Sequence, residues 1–144
     1  MLARDSKESK RLDFQHEFMR HLGHGNLLHP SIPRDEVRAV ADIGTGTGVW
    51  ISEIAEDFQA PSAQESGKLK FVGFDISPQQ FPDSANRVPG IDFVVHDVTT
   101  QFPNKYHGVF DLVNVRFMSY ALKAQDLKTA LESIVELLRK HTTF

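Results

Sequence analysis

The sequence predicts an α/β domain, a Rossmann-like three-layer sandwich with a parallel sheet covered on both faces. Three observations carry this reading. Short apolar runs at 37–43, 69–74, 91–95 and 110–115 place hydrophobic residues on both faces, as strands buried from both sides do. Between and after them, apolar residues recur near a 3.6-residue period: first Trp50, Ile51, Ile54, Ala55 and Phe58, and later Leu127, Ala130, Leu131, Ile134, Val135 and Leu138. A glycine cluster at 44–48 joins the first strand directly to the first of these helices. Strands alternating with amphipathic helices form parallel sheets, because each helix carries the chain back to start the next strand in the same direction.

Residues 1–10 hold five charges and almost nothing to bury, so they are expected to be a frayed lead-in, with the domain spanning 11–144. From Arg11, the residues Leu12, Phe14, Phe18, Met19 and Leu22 mark a short amphipathic helix that stops at Gly23 and Gly25. Pro30 and Pro33 make the next segment irregular. Residues 59–67 are polar, contain Pro61, and are expected to be a surface loop.

The chain has 144 residues, 40% hydrophobic and 24% charged, which fits one globular domain. Sixteen Lys and Arg against nineteen Asp and Glu give a net charge of −3, so there is no basic field for nucleic acid or an anionic membrane. With no cysteine, a disulfide framework, a thiolate metal site and a cysteine nucleophile are excluded. No apolar run approaches the roughly 20 residues that cross a bilayer. The expected location is the cytoplasm, and nothing in the sequence argues against the nucleus.

The segment Asp42-Ile43-Gly44-Thr45-Gly46-Thr47-Gly48 carries the most chemistry. Glycines at the junction of a strand and a helix let a ligand lie against the main chain, and the free N–H groups of the helix start attract anions. The spacing argues against two common ligands. The dinucleotide fingerprint wants a small residue where Val49 stands, and a phosphate-binding P-loop wants a lysine after the last glycine, where Val49 and Trp50 follow Gly48. Asp42, near the end of a buried strand, is costly unless it meets donors or a cation, such as the α-ammonium of S-adenosylmethionine. Asp75, just after the second strand, is placed to accept from ribose hydroxyls. Asp97, after the third, is placed to accept from an adenine amino group. Each acid alone is equally readable as a cap or turn former. All three fall at strand ends on the side where this architecture binds ligands.

Asp-Ile-Gly-Thr-Gly-Thr-Gly (42–48), Phe-Asp-Ile-Ser (74–77), His-Asp-Val (96–98) and Phe-Asp-Leu-Val (110–113) together resemble the successive motifs of class I S-adenosylmethionine-dependent methyltransferases. The closest likeness is to the fungal methyltransferases of secondary metabolism and its regulation, in which a helix like Arg11-Leu12-Asp13-Phe14-Gln15-His16 and a segment like Leu27-Leu28-His29-Pro30 precede the first strand. The resemblance covers about residues 11 to 140. It implies S-adenosyl-L-methionine as cofactor and a small-molecule methyl acceptor, with no metal. It further implies that Asp42, Gly44, Thr45, Gly46 and Gly48 hold the methionine moiety, Asp75 and Ile76 the ribose and adenine, and Asp97 with Val98 the adenine edge. The segment Asn114 to Phe117, just past strand four, would lie near the methyl group. No catalytic base is assigned.

Family members have seven strands in the order 3-2-1-4-5-7-6, whereas this sequence stops at Phe144. The expected order is therefore 3-2-1-4, with strands five to seven absent and strand four an unpaired apolar edge that invites self-association or a protein partner. The alternative reading that follows is a truncated, non-catalytic module that binds the cofactor or a partner. His16 and His21 are five residues apart, about 140° around a helix, so they do not form a His-Glu-x-x-His zinc motif. Gln15 or His16 facing a substrate, and Arg116 binding an anionic substrate or supporting the cofactor pocket, stand beside plainer packing and surface roles.

Overall fold

Strand β1, Ala39–Ile43, is buried along its whole length because it lies between two other strands and under two helical layers. The structure is a computed structural model that describes residues 6–59 and 68–140. β1 pairs in parallel with β2, Lys70–Asp75, on one side and with β4, Leu112–Val115, on the other; β3, Ile91–Val95, pairs with the outer side of β2. The sheet order is β3-β2-β1-β4, as expected from the sequence.

Alternation along the strands divides the core in two. Val40, Phe71 and Ile91 face helix α2, Val49–Phe58, and pack with its Trp50, Ile51, Ile54 and Phe58. Ala41, Ile43, Val72 and Phe74 face the other way, onto Phe102, Tyr106, Phe110 and helix α4, Ala124–Leu137. Phe74 anchors that layer through edge-to-face contacts with Phe102 and Tyr106, at centroid distances of 5.2 and 5.0 Å. Irregular segments holding single turns of 3-10 helix, rather than α-helices, link β2 to β3 and β3 to β4, where Pro78, Pro82, Pro89 and Pro103 remove donors an α-helix would need. A four-residue helix, α3, Met118–Ala121, follows β4.

Helix α1 runs over Ser6–Leu22 and so begins five residues before the expected Arg11. Residues 6–10 are not a frayed lead-in. Glu8 pairs with Arg11 within the helix, and the Ser9 hydroxyl donates to Gln80 Oε1 at 2.6 Å, a contact that holds this turn against the body. Residues 1–5, and most of the polar loop expected at 59–67, lie outside the described residues. On α4 the buried positions are Ala130, Ser133, Ile134 and Leu137, while Leu131 and Val135, expected in the core, are exposed.

The edge at β4 also departs from expectation. Phe110 forms a parallel bridge with Leu138: its N–H donates to the Leu137 carbonyl at 3.0 Å, and its carbonyl accepts from the Arg139 N–H at 2.8 Å. The outer side of this edge is thus paired where it begins, because α4 acts as a crossover that returns the chain parallel to β4. Among the described residues, Leu112–Val115 has no further strand on that side. No helix among the described residues is long and apolar enough to cross a membrane.

Candidate functional site

The register of the sheet sets one transverse row, Asn114, Asp42, Gly73 and Phe93, on β4, β1, β2 and β3. Asp42 is 3% exposed, yet both its oxygens are engaged: Oδ1 accepts from Asn114 Nδ2 at 2.8 Å and Oδ2 from Thr45 Oγ1 at 2.7 Å. Burial pushes the Asp42 carboxyl upward in pKa; these two hydrogen bonds and the charge of Arg116 oppose that shift, and Asp75 adds to it. Gly73 makes the Thr45 contact feasible, since a Cβ there would stand 2.9 Å from Thr45 Oγ1.

Between β1 and α2 the chain turns through Gly44, Gly46 and Gly48, all with positive φ. At Gly48 (φ +72°) a Cβ would fall 2.6 Å from the Phe93 ring, so the helix can start here only on a bare backbone. Gly44 (φ +70°) is different, because nothing lies within 4 Å of where its Cβ would be. The turn therefore packs tightly against the sheet at one end and leaves main chain open at the other. No side chain caps α2.

Asp75 ends β2 and reaches back to the turn, with Oδ2 accepting from the Gly46 N–H and Oδ1 from the Ser77 N–H, both at 2.9 Å. Ile76 beside it is 55% exposed. The His96 N–H donates to the Asp75 carbonyl at 2.9 Å, which brings the end of β3 alongside. Asp97 there closes its own turn, accepting on Oδ1 from the Thr99 N–H and hydroxyl, and these bonds lower its pKa. Val98 packs against the second core layer. The expected residues thus fall into two groups. Asp42 is bonded to Thr45 and Asn114, and Asp75 to Gly46, whereas among the described residues no hydrogen bond connects Ile76, Asp97 or Val98 to them.

Helix α1 lies over this turn. Leu12 Cδ1 stands 3.2 Å from the position of a Gly46 Cβ, and Thr47 Oγ1 donates to Asp13 at 2.7 Å. One turn further, His16 is 2% exposed. Its Nε2 is 2.8 Å from Glu53 of α2, and its Nδ1 is 3.3 Å from Arg116 Nη1. Because a guanidinium only donates, Nδ1 is the acceptor and Nε2–H is the donor to Glu53. Glu53 was not singled out in the sequence. Its carboxylate is also 3.4 Å from Arg20, which makes it the tie between α1 and α2. Two surface clefts, near Glu56 and Arg87 and near Arg20 and Asp57, contain none of the expected binding residues.

Comparison with known proteins agrees with this geometry. A model of the methyltransferase domain matches residues 40–141. A Penicillium sp. protein named methyltransferase grgD is 32% identical over 133 residues, covering 92% of this chain and 46% of its own length. The N-methyltransferase gliN of Aspergillus fumigatus is 27% identical over 143 residues, covering 99% and 47%. The chain spans about half the length of these relatives. Among solved structures, a complex between the Haloferax volcanii Trm112 methyltransferase activator and a methyltransferase matches 94% of this chain and 54% of the other with a TM-score of 0.66 at 22% identity, a likeness of fold. The methyltransferase CalH, solved in complex with SAH, matches 74% of this chain and 30% of its own with a TM-score of 0.56 at 25% identity. Since the domain model covers well over half of the sequence, the chain belongs to the methyltransferase-domain family.

Proposed function

We propose that this chain forms the cofactor-binding region of an S-adenosylmethionine-dependent methyltransferase that acts on a small molecule. The observation that carries the reading is the open main chain at Gly44, flanked by the Asp42 carboxylate and by Asp75 at the end of the neighbouring strand. These residues fit an adenosine joined to an amino acid. Each Asp75 oxygen accepts one internal hydrogen bond and keeps a second lone pair for a ribose hydroxyl. The exposed Ile76 side chain offers an apolar surface beside it for a base. Asp42 places a negative charge at the end of β1, next to Asn114, suited to an ammonium or sulfonium. Gly44 lets the ligand approach the backbone.

When bound, S-adenosylmethionine supplies an electrophilic methyl group to a nucleophilic acceptor atom. The chain's own part is alignment and water exclusion, which can lower a barrier by on the order of 7–11 kcal/mol. Helix α1, seated on the glycine turn, is suited to exclude water, and the names of the fungal relatives support the small-molecule class. The bare stretch of β4 and the exposed Leu131 and Val135 of α4 support association with a second copy or another protein. Light scattering that rises with concentration is the expected sign of it, and a monomer throughout would remove that part of the reading.

The cofactor is tested by thermal shift. S-adenosylhomocysteine is expected to raise the melting temperature and NAD to leave it unchanged, since a ligand at a hundred times its Kd stabilises by about 2.7 kcal/mol. Asp75→Ala is expected to weaken S-adenosylhomocysteine about tenfold or more by calorimetry, through lost charge-assisted hydrogen bonds. Equal shifts with both ligands, or an unchanged affinity in a folded Asp75→Ala chain, would refute the reading.

A further inference from the structure

We infer that Arg116 is a carboxylate-binding residue at the ligand end of the sheet, the carboxylate being either that of the cofactor's amino-acid tail or one on the methyl acceptor. Arg116 follows β4 directly, two residues beyond Asn114, so it stands where β1 and β4 open the crevice in which such sheets bind ligands. It is half-buried. Its one hydrogen bond is from Nη1 to His16 Nδ1, and the tautomer that accepts this bond is the neutral ring. A guanidinium withdrawn from water therefore meets no counter-ion in contact among the described residues.

Both nearby carboxylates are committed elsewhere. Asp42 is held by Asn114 and Thr45, and Glu53 by His16 and Arg20; neither forms an ion pair with Arg116 within 4.0 Å. Both act on it only through longer-range attraction, while burial lowers its pKa. The contrast with Arg11, Arg20, Arg34 and Arg139 is plain, since each of those is paired with an acid. Among the described residues, four of the five guanidinium N–H donors of Arg116 meet no acceptor, and their fork geometry matches a carboxylate. His16 is the positioning residue, because its ring holds Nη1 and leaves the rest of the fork free to turn toward the crevice.

The cofactor source rests on the function proposed above, and the test separates the two. S-adenosylhomocysteine and 5′-methylthioadenosine share an adenosine thioether, and only the first carries a carboxylate. Each is titrated into the full chain and into Arg116→Gln and Arg116→Lys. If the cofactor supplies the carboxylate, Arg116→Gln weakens S-adenosylhomocysteine about tenfold or more and 5′-methylthioadenosine less than twofold, with Arg116→Lys between. If the acceptor supplies it, both nucleosides bind every variant alike, and acetate added to the S-adenosylhomocysteine-saturated chain shifts the Arg116 guanidinium NMR signals, a response lost in Arg116→Gln. Should the wild type bind neither nucleoside, the methyltransferase reading fails, whereas an acetate response at Arg116 in the free chain still sustains the carboxylate site. Should Arg116→Gln not fold, the same guanidinium signals in the wild type decide, moving with S-adenosylhomocysteine or acetate and not with 5′-methylthioadenosine. Equal weakening of both nucleosides, or guanidinium signals unmoved by every carboxylate, overturns the inference.

Discussion

Asn114 and Asp42 are register partners on adjacent strands, and the amide of one donates to the carboxylate of the other at 2.8 Å inside the protein. Each oxygen of this buried carboxylate thus meets a protein donor. Asp42→Ala orphans both Asn114 Nδ2 and Thr45 Oγ1, and each buried unpaired group costs about 1–3 kcal/mol. Urea unfolding should report a loss of about 2 kcal/mol or more.

The same residue gives a pH signature. Burial raises its folded pKa above the ordinary carboxylate value, so the native state binds the proton more tightly than the unfolded chain. Wild-type stability should therefore fall as pH rises from about 4 through the raised folded pKa, and the loss from this group should be constant beyond it. Asp42→Asn lacks this loss. The difference in unfolding free energy between the two should move in favour of Asp42→Asn across that window, and a difference independent of pH would refute the assignment.

The two ends of the glycine turn should respond differently to a methyl group. Gly44→Ala bears only the left-handed backbone cost, about 1–2 kcal/mol, and should abolish most S-adenosylhomocysteine binding because its Cβ enters the open space. Gly48→Ala adds a clash with the Phe93 ring, about 1–3 kcal/mol more, and should show the lower melting temperature of the two.

His16→Ala should release α1. With Glu53 and Arg116 both losing a buried partner, amide exchange across Ser6–Leu22 is expected to quicken about tenfold while β1 is unchanged. Arg11→Ala, which removes a largely exposed pair with Glu8, should leave that rate nearly as it is.

The strands and the turn were legible in the sequence because both depend on local signals: apolar runs, three glycines at fixed spacing, and an acid near the end of each of the first strands; the sheet order came from the family resemblance that these motifs carry. What was not legible depended on how elements dock. Glu53 reads as an ordinary surface acid of α2, and only the seating of α1 brings His16 to it. Residues 6–10 look unburied in composition, and their helix is held through Ser9 and Gln80, 71 positions apart. Leu131 and Val135 share the helical period of Ile134, but the period does not show which apolar positions meet the sheet. Asp97 shows the limit from the other side, since its Oδ1 bonds to Thr99 are those of a turn former, the plainer of its two readings.

Gly73 bears no functional group, and yet the polar chemistry of the sheet end depends on it. The space its missing side chain leaves is filled by Thr45 and by the edge of Phe93. A methyl group placed there would press on the Thr45 hydroxyl and push it away from Asp42, and it would crowd the ring on which the Gly48 turn rests. Volume on the middle strand thereby governs charge on its neighbour. The tolerance of this site to change is set as much by an empty position in the row as by the residues that bear its hydrogen bonds.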